Sequence, residues 1–177
     1  MGLFQQINDE GRKRGLPFLV IGGLAVNLHG YSRDTADLDL LIDRAARDLW
    51  MGLFSELGYA IHSETTAFIQ LDPPAQGAWP VDLMLVQQAT FEPMRHAAIE
   101  MDLYGARVLI PAVEHLLALK LHALKHGHIE RYLKDYLDAE GLIRIHRIDL
   151  RSERIRQMFE KHGTVELYEK LSRTPFR

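Results

Sequence analysis

The chain has 177 residues, no cysteine and a formal net charge of −3, with 47% hydrophobic and 25% charged residues. This composition suits a globular protein of one domain, or of one domain with a helical extension. It excludes disulfides and thiolate zinc sites, and no run approaches the about 18 apolar residues of a transmembrane helix, so a membrane partner is not expected. The lack of cysteine fits a cytoplasmic protein, and the start of the chain, with Asp9, Glu10, Arg12, Lys13 and Arg14, has no signal-peptide core. The charge is uneven: residues 1–110 carry 8 Lys and Arg against 14 Asp and Glu, whereas residues 111–177 carry 13 against 10 and six of the nine histidines. An acidic half suits cations, and a mildly basic half permits phosphates as partners.

In chain order, residues 3–14 place Leu3, Phe4 and Ile7 among polar residues, which predicts a short amphipathic helix stopped by Gly15 and Pro17. Phe18-Leu19-Val20-Ile21 reads as a buried strand. Gly22-Gly23 turns the chain into a short helix from Leu24 to His29, closed by Gly30, and Tyr31 to Ala36 is a polar loop. Asp37 to Asp43 is the second strand. Arg44 to Leu57 is predicted helical, with Leu49, Leu53 and Leu57 at four-residue spacing and Gly58 as its cap. Thr66 to Leu71 is a third strand and Pro80 to Val86 a fourth. Met94 to Met101 fits either a helix or a strand, and Tyr104-Gly105-Ala106 is a hairpin turn into Arg107 to Ile110. Pro111 opens a long helical region with Val113, Leu117, Leu121 and Leu124 as its buried stripe. Further helices are predicted over residues 130–143, with Tyr132, Leu133, Tyr136, Leu137 and Leu142, and over residues 151–162 and 165–171. A mixed β-sheet with flanking helices over residues 1–110, followed by a helical C-terminal part over residues 111–177, is an α+β fold.

Four features converge on one chemistry. Asp37 and Asp39 stand two apart at the start of a strand, so both carboxylates point to one face. Like charges that close repel, and a divalent cation between them resolves the conflict; hard oxygen ligands suit Mg²⁺. Gly22-Gly23, between strand and helix, permits close approach of a ligand and leaves backbone N–H groups for a phosphate chain. Asp82 interrupts an apolar run where an unpaired carboxylate is unfavourable, and a neighbouring strand would bring it beside the first pair. Lys120, in the apolar helix Leu116 to Leu121, suits a point charge on a triphosphate, and equally a lysine that reaches out to water.

Gly22-Gly23-Leu24-Ala25, Gly30, Arg33, Thr35, Asp37-Leu38-Asp39 and the later Asp82 resemble the minimal nucleotidyltransferases of the DNA-polymerase-β-like superfamily. Leu119-Lys120-Leu121 and Lys134-Asp135…Asp138 look most like the abortive-infection (AbiEii-type) toxin branch. The resemblance spans residues 18–143. It implies a nucleotidyltransferase-like fold, a nucleoside triphosphate substrate, two Mg²⁺ ions, and transfer of a nucleoside monophosphate with loss of pyrophosphate. It implies Asp37, Asp39 and Asp82 as metal ligands, with the two ions clamping the attacking and leaving oxygens of an in-line displacement. Arg33, Thr35 and the Gly22-Gly23 turn would orient phosphates, and Lys120 would neutralise pyrophosphate. Where many relatives have Gly-Ser, this chain has Gly22-Gly23 and lacks the serine hydroxyl.

Within that branch some relatives act as toxins of toxin–antitoxin pairs and modify RNA, including tRNA, so the resemblance implies RNA as the leading acceptor and an antitoxin protein as a candidate partner. The alternatives are a small-molecule adenylyltransferase of the antibiotic-inactivating type and a catalytically silent binding relative. His122, His126 and His128 invite a zinc reading, but Ala123 stands where the metalloprotease motif needs Glu, so a structural or surface role is expected. Lys134, Asp135 and Asp138 fit a salt-bridged helix face, and Trp50 and Trp79 fit packing positions.

Overall fold

The computed structural model describes residues 2–127 and 129–173. The chain divides into two compact units: residues 1–25 with 33–112, and residues 26–32 with 113–177. The first opens with α1 (Leu3–Arg14), which buries Phe4, Ile7, Asn8 and Gly11 and stops where Gly15 turns left-handed at φ 64°. Strand β1 (Phe18–Val20) leads into α2 (Gly22–Leu28), and β2 (Leu38–Asp43) follows the polar loop. The Asp43 carboxylate accepts from the Ala45 N–H at 3.0 Å and opens a single 3-10 turn before α3 (Arg47–Glu56). Then come β3 (Ala60–Glu64), β4 (Phe68–Asp72), β5 (Val81–Val86), α4 (Gln88–His96), β6 (Ile99–Leu103) and β7 (Ala106–Ile110).

The sheet order is β1-β2-β5-β4-β3, with β2 and β5 parallel and the other neighbours antiparallel; β6 and β7 form a separate hairpin. A parallel pair needs a long crossover. Here α3 and the β3–β4 hairpin supply it, which places β5 in the middle of the sheet beside β2. One face of the sheet is core: Leu38, Leu40 and Ile42 from β2, Val81, Leu83 and Leu85 from β5, and Ile69 and Leu71 from β4 are all buried. Of the alternate positions, Leu41 is buried, Asp39, Asp82 and Met84 are half-buried, and Phe68 and Gln70 are exposed. The aspartates are thereby turned away from the apolar face that fixes the strands' register.

The second unit contains α5 (Val113–His126), α6 (Ile129–Ile145), α7 (Glu153–His162) and α8 (Val165–Arg173). Leu117, Leu121, Tyr136, Ala139, Ile143, Leu150, Ile155, Phe159, Leu167 and Leu171 pack into one core. Among the described residues no helix is long and apolar enough to cross a membrane.

Several elements differ from the sequence reading. In α3 the buried positions are Trp50, Leu53 and Phe54, while Leu49 is 62% exposed and Leu57 half-buried. The larger aromatic side chains win the core face, with Trp50 edge-on to Phe18 and stacked on Phe54. Strand β3 was not expected: all five of its residues are exposed, and only its pairing with β4 makes it a strand. The Met94 to Met101 stretch contains both the end of α4 and the start of β6. In α6, Tyr136 and Leu142 are buried as the apolar pattern suggests, whereas Leu133 and Leu137 face solvent and Asp135 and Asp138 are buried in their place.

Candidate active site

Asp39 in β2 and Asp82 in β5 are directly opposite in the parallel ladder. Neighbouring strands lie about 4.8 Å apart, and opposed residues share a face, so the two carboxylates emerge side by side. Asp37 precedes β2 by one residue, and the Leu38 N–H donates to the Pro80 carbonyl at 2.9 Å, holding the chain at the ladder's entrance. Asp37, Asp39 and Asp82 are each half-buried. The sequence-predicted trio therefore sits at one end of the parallel pair.

The two glycines are explained by this trio's surroundings. The Ile21 N–H donates to the Asp39 carbonyl at 2.9 Å, which docks the end of β1 against β2. The next residue, Gly22, has φ +60°, and a Cβ there would overlap the Asp39 side chain, falling 2.8 Å from its Cβ. A Cβ on Gly23 would lie 2.6 Å from Thr35 Oγ1 and 2.8 Å from Arg33 Nη1. The pair is thus required for the Asp39 carboxylate and the Thr35 and Arg33 side chains to press against the turn. The glycines thus admit the protein's own side chains to the turn. Arg33 also donates from Nη1 to the Asp34 carbonyl at 2.9 Å. Gly22, Gly23, Arg33, Thr35 and Asp39 are accordingly one packed cluster. The helix that begins at Gly22 has only seven residues, which limits its dipole.

Lys120 has a different setting. In the second unit its Nζ lies 2.8 Å from Asp135 Oδ1 and 2.7 Å from Asp138 Oδ2, with Lys120 5% exposed and Asp138 0%. The expectation of a lysine reaching to water is corrected, while the salt-bridged face expected over Lys134, Asp135 and Asp138 is salt-bridged at Asp135 and Asp138, with Lys120 of the neighbouring helix as the cation. The two carboxylates turn inward, one helical turn apart, and close on an ammonium from the neighbouring helix. Lys134 stays exposed.

His122 and His126 have ring centroids 4.6 Å apart on α5, with His162 at 6.5 Å from His122, and His128 lies outside the described residues. Among the described residues no three His, Asp or Glu side chains are gathered tightly enough to hold a metal ion as they stand. The chemistry of the Asp37, Asp39 and Asp82 donor set nevertheless fits a hard cation: all are carboxylate oxygens, and two are in register on adjacent strands.

Sequence reasoning missed Gln70. It stands directly opposite Asp82 on the other side, in β4, and extends the Asp39–Asp82 row across the sheet. The alternation Phe68-Ile69-Gln70-Leu71-Asp72 carried the signal for its face, but only the strand order places it beside Asp82.

The architecture has solved counterparts. ANT(2'')-Ia, solved in complex with adenylyl-2''-tobramycin, superposes with a TM-score of 0.66 at 17% identity over 90% of this chain and 94% of its own. An antigenic nucleotidyltransferase-like protein from Paracoccidioides brasiliensis gives 0.58 at 15% identity over 96% and 90%. The lincosamide antibiotic adenylyltransferase LnuA, lincomycin-bound, gives 0.56 at 16% identity over 78% and 93%. No protein-family model and no curated protein matches the sequence. Identities this low speak for the fold: the chain has the nucleotidyltransferase fold, a mixed sheet with flanking helices, as the sequence resemblance implied.

Proposed function

We propose that the protein is a nucleotidyltransferase that moves a nucleoside monophosphate from a nucleoside triphosphate to an acceptor hydroxyl. The observation that carries this reading is the register of Asp39 opposite Asp82, with Asp37 two residues before Asp39, on the open face of a nucleotidyltransferase fold. Asp37, Asp39 and Asp82 would hold Mg²⁺, which when bound neutralises phosphate charge and lowers the pKa of a coordinated hydroxyl. The acceptor oxygen bonds to the α-phosphorus, the bond to the pyrophosphate oxygen breaks, and Asp82 takes the hydroxyl proton. Arg33 and Thr35, packed on Gly23, orient the phosphates. Lys120 is committed to Asp135 and Asp138, so phosphate contacts are assigned to the Gly22–Gly23 cluster instead.

The favoured acceptor is a small hydroxyl-bearing molecule. Residues 1–110 carry 8 Lys and Arg against 14 Asp and Glu, a field that repels a polyanion. Two of the structural counterparts are described with a small hydroxyl-bearing molecule or its adenylylated form bound, lincomycin and adenylyl-2''-tobramycin. The second reading, an RNA-modifying toxin of the AbiEii type with an antitoxin partner, draws support from the excess of positive charge over residues 111–177 and from the motif resemblance.

The test is Mg²⁺-dependent transfer from α-labelled ATP, CTP, GTP and UTP to small hydroxyl acceptors and to total tRNA. Transfer that disappears in Asp39→Ala supports the proposal; equal signal in that variant overturns it.

A further inference from the structure

The polar row that begins at Asp39 continues past Asp82. Gln70 in β4 is the direct partner of Asp82, and Ser63 in β3 is the direct partner of Gln70. Residues opposed in an antiparallel ladder share a face, with Cβ atoms about 4.5–5.5 Å apart. Asp39, Asp82, Gln70 and Ser63 therefore run side by side across four strands. The Ser63 hydroxyl donates to Gln70 Oε1 at 2.7 Å, which holds an otherwise exposed amide by its oxygen. Its Nε2 is left as the donor end. Two residues from Gln70 on the same face, Phe68 is 48% exposed opposite Met84. Two residues in the other direction, Asp72 adds a carboxylate that meets His62 Nδ1 at 3.3 Å.

We infer that Gln70 positions the acceptor and that Phe68 forms its apolar floor. The acceptor is a neutral or cationic small molecule with the reacting hydroxyl next to a second oxygen, as in a sugar or polyol. The inference rests on the nucleotidyl-transfer reading and goes beyond it. Asp82 engages the attacking hydroxyl and receives its proton, and the neighbouring oxygen accepts from Gln70 Nε2, one cross-strand step away. Phe68, about 7 Å along the strand, underlies the adjoining apolar face of the molecule. Gln70 is chemically unchanged in the reaction and acts only by placing the oxygen that attacks. Asp72, beside it, disfavours a polyanionic acceptor on the same electrostatic ground as the acidic unit around it.

The experiment measures labelled AMP transfer from ATP to tobramycin, lincomycin and glycerol as probes, with total tRNA in parallel. Wild type is compared with Gln70→Ala, Gln70→Asn, Gln70→Glu, Ser63→Ala and Phe68→Ala. Calorimetry follows MgATP binding in each. Wild type is expected to label at least one small probe. Gln70→Ala should raise the KM for that probe about five- to tenfold, as loss of one hydrogen bond does, with kcat and MgATP affinity within about twofold. Gln70→Asn, which keeps the donor, should recover part of the loss, and Gln70→Glu, which removes it, none. Ser63→Ala should have the same sign and a smaller size. Gln70 is exposed, so these variants should melt with wild type; should Gln70→Ala not fold, the near-isosteric Gln70→Glu carries the test.

An unchanged KM in Gln70→Ala, a loss confined to kcat, or label entering tRNA alone overturns the inference. Wild type that binds MgATP yet labels none of the small probes also overturns it, and leaves the nucleotidyl-transfer reading standing. Wild type that binds none of MgATP, MgCTP, MgGTP and MgUTP overturns both.

Discussion

Two sets of carboxylates in this chain are built in opposite ways. In the helical unit, Asp135 and Asp138 are buried and close on the ammonium of Lys120, a cation that the same unit supplies. In the sheet unit, Asp37, Asp39 and Asp82 remain half-buried on the open face, held in place by strand register and by two glycines. Burial forces the first set to carry its counter-ion in the fold, because an unpaired buried charge is prohibitive. The second set remains within reach of solvent and of ligands. The difference separates a charge cluster that stabilises from one that can act on a substrate, although both read as spaced aspartates in sequence.

That contrast can be broken at several points. Lys120→Met should cost about 3–5 kcal/mol in urea denaturation, since it leaves two carboxylates buried without their lysine. Replacing Asp135 and Asp138 by Asn in the same background should recover part of the loss; no loss at all in Lys120→Met would contradict a buried pair. Asp39→Asn should do the reverse, lowering transfer about a thousandfold while the urea midpoint stays near wild type. A large midpoint shift there would mean that the sheet carboxylates are structural too. Gly22→Ala meets the Asp39 side chain and a left-handed backbone together, so a loss of about 1–3 kcal/mol and a drop in rate are both expected.

The smallest effect is in pH. Burial, followed by the positive charge of His126 and Lys125, lowers the pKa of His122 from the usual 6.5. Burial, followed by Lys161, His122 and Lys125, does the same for His162. The unfolded chain then binds protons more readily than the folded one. Stability is therefore intact above about pH 6.5 and declines as the pH falls below it. Melting curves at pH 7.5 and 5.5 should show a modest drop that His122→Gln reduces; an equal drop in that variant would remove His122 from the explanation.

Much of the first unit was legible because its periodicities are local. The alternation of Leu38, Leu40 and Ile42 with Asp39 gives both the strand and the acidic face, and Gly15, Gly58 and Tyr104-Gly105 mark their turns. The parts that escaped depend on pairing across the chain. Strand β3 exists through β4, and Gln70 matters through its position opposite Asp82, neither of which a single segment reveals. The setting of Lys120 escaped for the same reason: its partners lie 15 residues away and beyond, on another helix. In α3 the leucine spacing misled because Trp50 and Phe54 offer more apolar area to bury than Leu49 and Leu57 do.

The most direct measurement is anomalous diffraction from crystals grown with Mn²⁺ and a non-hydrolysable nucleoside triphosphate. A manganese peak between the Asp37, Asp39 and Asp82 carboxylates, with phosphates toward Thr35 and Arg33, is the expected result. Nucleotide bound with its phosphates away from these aspartates, or manganese held elsewhere on the chain, would contradict the assignment of the site.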